Sequence, residues 1–145
     1  MTGKLILLVE DNPDDEALTL RALRSSNIAN EVVVVHDGAE AIDFLLGPNR
    51  GDLHRLPEIV LLDLNLPKVN GFEVLKRIRS DPRTQSLPVV ILTTSDEDRD
   101  LVESYKLGAN SYVQKPVDFE EFRKAIKQLG MYWLVLNLGP PLNRM

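Results

Sequence analysis

The chain has 145 residues, 43% of them hydrophobic and 27% charged, with a net charge of −5 and no cysteine. That is the balance of one globular domain able to bury a core unaided, and it excludes a disulfide framework, a thiolate metal site and a cysteine nucleophile. The negative balance speaks against a nucleic-acid-binding face over the whole domain, and Leu5–Val9 is too short an apolar run for a signal-peptide core or a membrane span, so a cytoplasmic location is expected.

Strand-like and helix-like segments alternate along the chain. Leu5–Val9 reads as a first strand that stops at Glu10-Asp11. Asn12-Pro13-Asp14-Asp15 then opens a helix, since Asx side chains cap free amides and acids suit the positive end of the helix dipole. Leu18, Ala22 and Leu23 supply its expected apolar face. Glu31–Val35 is β-branched and reads as a second strand, followed by a helix over Gly38–Leu46 with Ala41, Ile42 and Leu45 on one side. After a polar loop from Gly47 to Pro57, Ile59–Leu62 is a third strand ending at Asp63. Asn70-Gly71 opens a helix to about Ser80, carrying Phe72, Leu75, Ile78 and Arg79. Asp81-Pro82 closes it, because a residue before proline avoids the α region.

Val89–Leu92 is a fourth strand leading into Thr93-Thr94-Ser95, and a helix follows over Glu97–Leu107, stopped by Gly108. Ser111–Lys115 is a short fifth strand ended by Pro116. Asp118 caps a last helix. Strands of continuous Val, Ile and Leu are buried on both faces, which predicts an α/β fold: a doubly wound, five-stranded parallel sheet of flavodoxin-like order 2-1-3-4-5, with helices on both faces.

Ligands of such sheets bind outside the carboxyl ends of the strands. Those ends carry Glu10-Asp11, Asp63, Thr93-Thr94 and Lys115. Carboxylates brought together resist joint ionisation unless a cation is bound. Oxygen donors with neither His nor Cys among them suit Mg²⁺ (or Mn²⁺) rather than zinc. A hydroxyl and an ammonium beside such a cation are the parts that phosphoryl chemistry needs. One carboxylate must then be the nucleophile, and Asp63, at the end of the most apolar central strand, is the candidate.

Leu7–Asp11, Leu61–Pro67 with Gly71, Pro88–Thr93 and Tyr112–Pro116, in this order and each at a strand end, resemble the receiver domains of two-component response regulators. The resemblance runs from Leu5 to about Leu129. It implies that Asp63 is the phosphoacceptor and Asp11 a direct Mg²⁺ ligand. Glu10 would act mostly through water, and the backbone carbonyl of Asn65 would be a third protein ligand. It further implies that Thr93 and Lys115 bond phosphoryl oxygens, that Tyr112 is a switch aromatic and that the Lys115-Pro116 peptide is cis. The Asp63–Lys68 run, Leu92–Ser95 and the Gly47–Pro57 loop are most similar to single-domain regulators that partner phytochrome kinases. The expected partner is accordingly a sensor histidine kinase.

Each residue also has a plainer reading. Glu10-Asp11 alone could be a capping turn, Lys115 alone a solvated lysine, Thr93 and Thr94 β-formers, and Tyr112 a half-buried strand aromatic. His36 and His54 read as ordinary polar residues outside the site. Competing functions are a Mg²⁺-dependent aspartyl phosphatase and a phosphorylation-independent adaptor. The phosphatase reading is weakened because Asp63-Leu64-Asn65 lacks the second acid that general acid–base work would use.

The receiver domain is expected over residues 1–130, with 131–145 an apolar C-terminal extension of the last helix and tail, and no output domain. The about fifteen residues after Leu129 are too few for a helix-turn-helix unit. Phe119, Phe122, Ile126 and Leu129 form a seam expected to pack on the domain. Tyr132, Trp133, Leu134 and Leu136 beyond it are apolar on every side; the tail either folds back over its own domain or, the favoured reading, makes these residues homodimer contacts.

Overall fold

A computed structural model describes residues 5–26, 31–47, 56–115 and 118–132. Five strand–helix units follow one another: β1 (Leu5–Val9), α1 (Pro13–Ser26), β2 (Glu31–Val35), α2 (Gly38–Leu46), β3 (Ile59–Leu62), α3 (Gly71–Ser80), β4 (Val89–Thr93), α4 (Asp98–Lys106), β5 (Ser111–Gln114) and α5 (Phe119–Gly130). All strand pairs are parallel and the order is β2-β1-β3-β4-β5, as the apolar runs predict. β5 ends one residue earlier than expected, yet the Lys115 amide still donates to the Thr93 carbonyl at 2.7 Å and holds that residue against β4.

Alternate residues of each strand face opposite sides of a sheet, and here both sides are covered. Leu7, Val9, Val60, Leu62, Val89 and Ile91 pack with Ala41 and Leu45 of α2 and with Val74, Leu75 and Ile78 of α3. Ile6, Leu8, Ile59, Leu61, Val90 and Leu92 pack with Ala22 and Leu23 of α1 and with Phe122 and Ile126 of α5. Phe119 and Leu129 flank this second layer, so the predicted seam of α5 is packed on the domain. β2 is an edge strand, and its central valines are only partly buried.

The first helix departs from expectation. Leu18 is exposed, and Thr19 takes the deep position beside Ala22 and Leu23. Residues advance about 100° each around a helix, which puts Leu18 at the rim of a stripe centred on Thr19. Thr19 is tolerated there because its hydroxyl donates to the Asp15 carbonyl at 2.8 Å. The other helix starts behave as the sequence suggests. Asn12, Asn70 and Asp118 accept from the amides of Asp14, Glu73 and Glu120, and Asp37 does the same for Glu40.

Two glycines let backbone segments touch. A Cβ at Gly71 would lie 2.4 Å from the Asp63 carbonyl oxygen, and one at Gly38 would lie 1.8 Å from that of Val69. The start of α3 therefore rests on the Asp63 backbone, and the β3–α3 loop rests on the start of α2. At the other end of α3, Arg79 donates to the carbonyls of Gly108, Gln85 and Leu87 and to the side-chain oxygen of Asn110. Its guanidinium joins α3, the approach to β4 and the α4–β5 loop. Arg79→Met keeps the apolar stem but takes the guanidinium from the three carbonyls, while Asn110 Oδ1 keeps the Val89 amide; a buried acceptor left unpaired costs about 1–3 kcal/mol. Urea unfolding is expected to show a loss of about 2–4 kcal/mol with an unchanged m-value; a midpoint equal to that of the parent chain would disprove this role.

Candidate functional site

Parallel pairing of β1 with β3 carries the acids to one place. The Asp63 amide donates to the Val9 carbonyl at 3.1 Å and the Glu10 amide to the Val35 carbonyl at 3.0 Å, so both residues sit just past paired strand ends. Carboxylate oxygens of Glu10, Asp11 and Asp63 lie within 4.8 Å of one another. Glu10 is 1% exposed and Asp63 7%, while Asp11 faces solvent.

Lys115 completes the cluster from the far side of β4. Its ammonium bonds a Glu10 oxygen, lies 3.1 Å from Asp15 Oδ2 and 3.5 Å from Asp63 Oδ2, and its side chain is only 6% exposed. Burial alone disfavours the charged lysine, but the bond to Glu10 and the field of Asp63 outweigh it, and the lysine's pKa is raised. Burial pushes the Glu10 carboxyl up to about 7, with Asp63 adding to the shift and Lys115 opposing it.

The structure places the remaining predicted residues as follows. Thr93 is fully buried at the end of β4, and its hydroxyl oxygen accepts from the Ser95 amide at 3.4 Å. The Asn65 amide donates to Asp63 Oδ1 at 3.3 Å. Tyr112 packs its ring against the core and donates its hydroxyl to the Ser95 carbonyl at 3.1 Å. Ser95 also donates from its own hydroxyl to Asp100 Oδ2 on α4 at 2.6 Å. A run of hydrogen bonds thus leads from Thr93 through Ser95 to both α4 and β5.

His36 bonds Glu16 on the surface, outside the cluster. Tyr132 is exposed at the end of α5. Trp133, Leu134, Leu136, His54 and the Lys115-Pro116 peptide lie outside the described residues.

Asp15 is the residue that sequence reasoning missed. It looked like one more acid in the first turn of α1, but it stands close enough to share the Lys115 ammonium. The only sequence signal was its place one helical turn beyond Glu10-Asp11, the distance at which a first-turn side chain can lean back over the strand end.

Oxygen-only donors, two of them buried and one of these, Glu10, reluctant to ionise, fit a hard divalent cation such as Mg²⁺. A parallel sheet with such a cluster and a near-buried lysine at its carboxyl edge defines a receiver-type α/β signalling domain. The chain belongs to the response regulator receiver family, whose model matches residues 6–127.

Relatives agree over almost the whole chain. It is 41% identical over 136 residues to the probable methanogenesis regulatory protein FilR2 of Methanothrix harundinacea, covering 94% of this chain and 87% of that one. It is 38% identical over 131 residues to the response regulator Rcp1 of Synechocystis, covering 90% and 89%. The solved structure of the phosphorylated cyanobacterial phytochrome response regulator RcpA matches with a TM-score of 0.88 at 40% identity, covering 96% of this chain and 99% of that one. The Mn²⁺-bound form of Rcp1 matches with a TM-score of 0.85 at 37% identity, covering 94% and 99%. The chain is thus a two-component signalling protein related to phytochrome response regulators. Among the described residues no helix is long and apolar enough to cross a membrane.

A cation entering the cluster competes with the proton on Glu10. Because this carboxyl is raised from 4.5 to about 7, the metal-free fold draws stability from it at low pH and loses that stability as pH rises through about 7. Added Mg²⁺ is expected to raise Tm more at about pH 8 than at about pH 6, where the proton must first be displaced. Thermal melts at one Mg²⁺ concentration check this; a larger shift on the acid side would contradict the linkage.

Proposed function

We propose that the chain is a single-domain response regulator that takes a phosphoryl group from a sensor histidine kinase onto Asp63 in a Mg²⁺-dependent (or Mn²⁺-dependent) reaction. The observation that carries this reading is the convergence of Glu10, Asp11 and Asp63 on one point with the Lys115 ammonium beside them. An Asp63 carboxylate oxygen attacks phosphorus, a P–O bond forms, and the P–N bond to the kinase histidine breaks with its electron pair leaving on the imidazole, which takes up a proton. Lys115 and the Thr93 hydroxyl bond phosphoryl oxygens. Glu10, Asp11, Asp63 and the Asn65 carbonyl are the groups that would hold the metal. When bound, the cation supplies positive charge for the oxygens of the transferring group. The chain's catalysis is confined to its own phosphorylation and dephosphorylation.

Likeness to the phosphorylated cyanobacterial phytochrome response regulator RcpA supports a phytochrome as the kinase. Output runs through the surface of α4, β5 and α5, with Tyr112 answering the movement of Thr93. α4 suits this role, since among its residues only Ser104 is buried while Leu101, Val102 and Tyr105 are exposed. Residues 1–130 act as the receiver domain in the cytoplasm, and the apolar C-terminal extension and tail over 131–145 supply a homodimer contact through Tyr132, Trp133, Leu134 and Leu136.

Incubation with acetyl phosphate and Mg²⁺, read by intact mass, is expected to give a stable adduct on the parent chain and none on Asp63→Asn, whose circular dichroism is unchanged. Continuous release of phosphate from simple esters would point instead to a phosphatase, and no reaction to an adaptor. The double variant Tyr132→Lys, Trp133→Lys is expected to sediment as a monomer while the parent sediments as a dimer. Equal masses for the two chains would remove the tail from the interface.

A further inference from the structure

Asp15 is held from both sides. Its amide donates to the Asn12 side chain at 3.1 Å, and its carbonyl accepts from the buried Thr19 hydroxyl. These bonds fix its backbone at the start of α1, and from there its carboxylate lies 3.1 Å from the Lys115 ammonium, which is nearer to it than to Asp63 at 3.5 Å. The lysine, bonded to Glu10 at the end of β1, is thus shared on its other side between Asp15 of α1 and the residue proposed to carry the phosphoryl group.

We infer that Asp15 is a positioning residue that competes with the phosphoryl group for Lys115 and so restrains the reactivity of Asp63. This rests on the phosphoryl acceptance proposed above. An ammonium has three donors; one is taken by Glu10, and Asp15 and Asp63 compete for the rest. While Asp15 holds it, Lys115 is drawn off the axis along which charge develops on the incoming group. A neutral side chain of the same shape releases the lysine toward Asp63.

Asp15→Asn is accordingly expected to speed labelling by acetyl phosphate about three- to tenfold, and Asp15→Glu to return the rate toward that of the parent. The decisive arm is a double-mutant cycle with Lys115→Met, followed at raised donor concentration. If Asp15 acts through the lysine, Asp15→Asn changes nothing on that background. If it only repels an anionic donor through space, the same acceleration persists without the lysine, and the inference is overturned. A parent chain that labels and an Asp15→Asn chain that labels equally fast also overturn it, leaving phosphoryl acceptance intact. A parent chain that does not label removes both.

Discussion

Everything at the carboxyl edge of the sheet depends on one imbalance: the fold sets Glu10, Asp15 and Asp63 around the Lys115 ammonium and brings Asp11 to the same acidic cluster. The backbone leaves little freedom in this. β1 and β3 pair in register, and their amides are tied to neighbouring carbonyls up to the residues that carry the acids. Burial of Glu10 then raises the cost of ionising it. A site of this kind is incomplete in charge by construction. It is relieved by a proton on Glu10, by a divalent cation, or by a shift of the lysine among its partners. These three reliefs exclude one another only partly, and a proton on Glu10 and a cation in the cluster oppose each other because each offsets the same crowded negative charge.

Much of this was legible in the sequence, because its strongest signals are local. Continuous runs such as Leu5–Val9 and Ile59–Leu62 mark strands buried on both faces, and each stops at an acid. The topology rule for parallel sheets then brings those acids together without further information. What escaped reading is tertiary. Arg79 sits among the apolar residues of α3 in the sequence, and its acceptors are carbonyls that only folding assembles. Asp15 is chemically the same as its neighbour Asp14, and what separates them is the direction in which α1 leaves the strand end. Thr19 and Leu18 compete for one stripe. Hydrophobicity favours the leucine, but a local hydroxyl-to-carbonyl bond lets the threonine go inside. The dimer candidates Trp133, Leu134 and Leu136 lie beyond the described residues.

The two helices that follow the central strands are anchored in opposite ways, and this asymmetry bears on how a signal would leave the site. α3 begins on the Asp63 backbone, buries Val74, Leu75 and Ile78, and is pinned at its end by Arg79. α4 buries only Ser104 among its residues and is tied near its start by the Ser95 hydroxyl to Asp100. Elements with few buried apolar contacts open at lower free energy than those embedded in a core. A change at Asp63 therefore meets a stiff wall on the α3 side and a compliant one on the α4 side. The path to the compliant side is already bonded: Thr93 to Ser95, Ser95 to Asp100, and Tyr112 to the Ser95 carbonyl. In the proposed switch, a phosphoryl oxygen that draws the Thr93 hydroxyl away from the Ser95 amide disturbs all three bonds at once. α4 and Tyr112 then respond together, because they share one serine rather than because either touches the phosphoryl group.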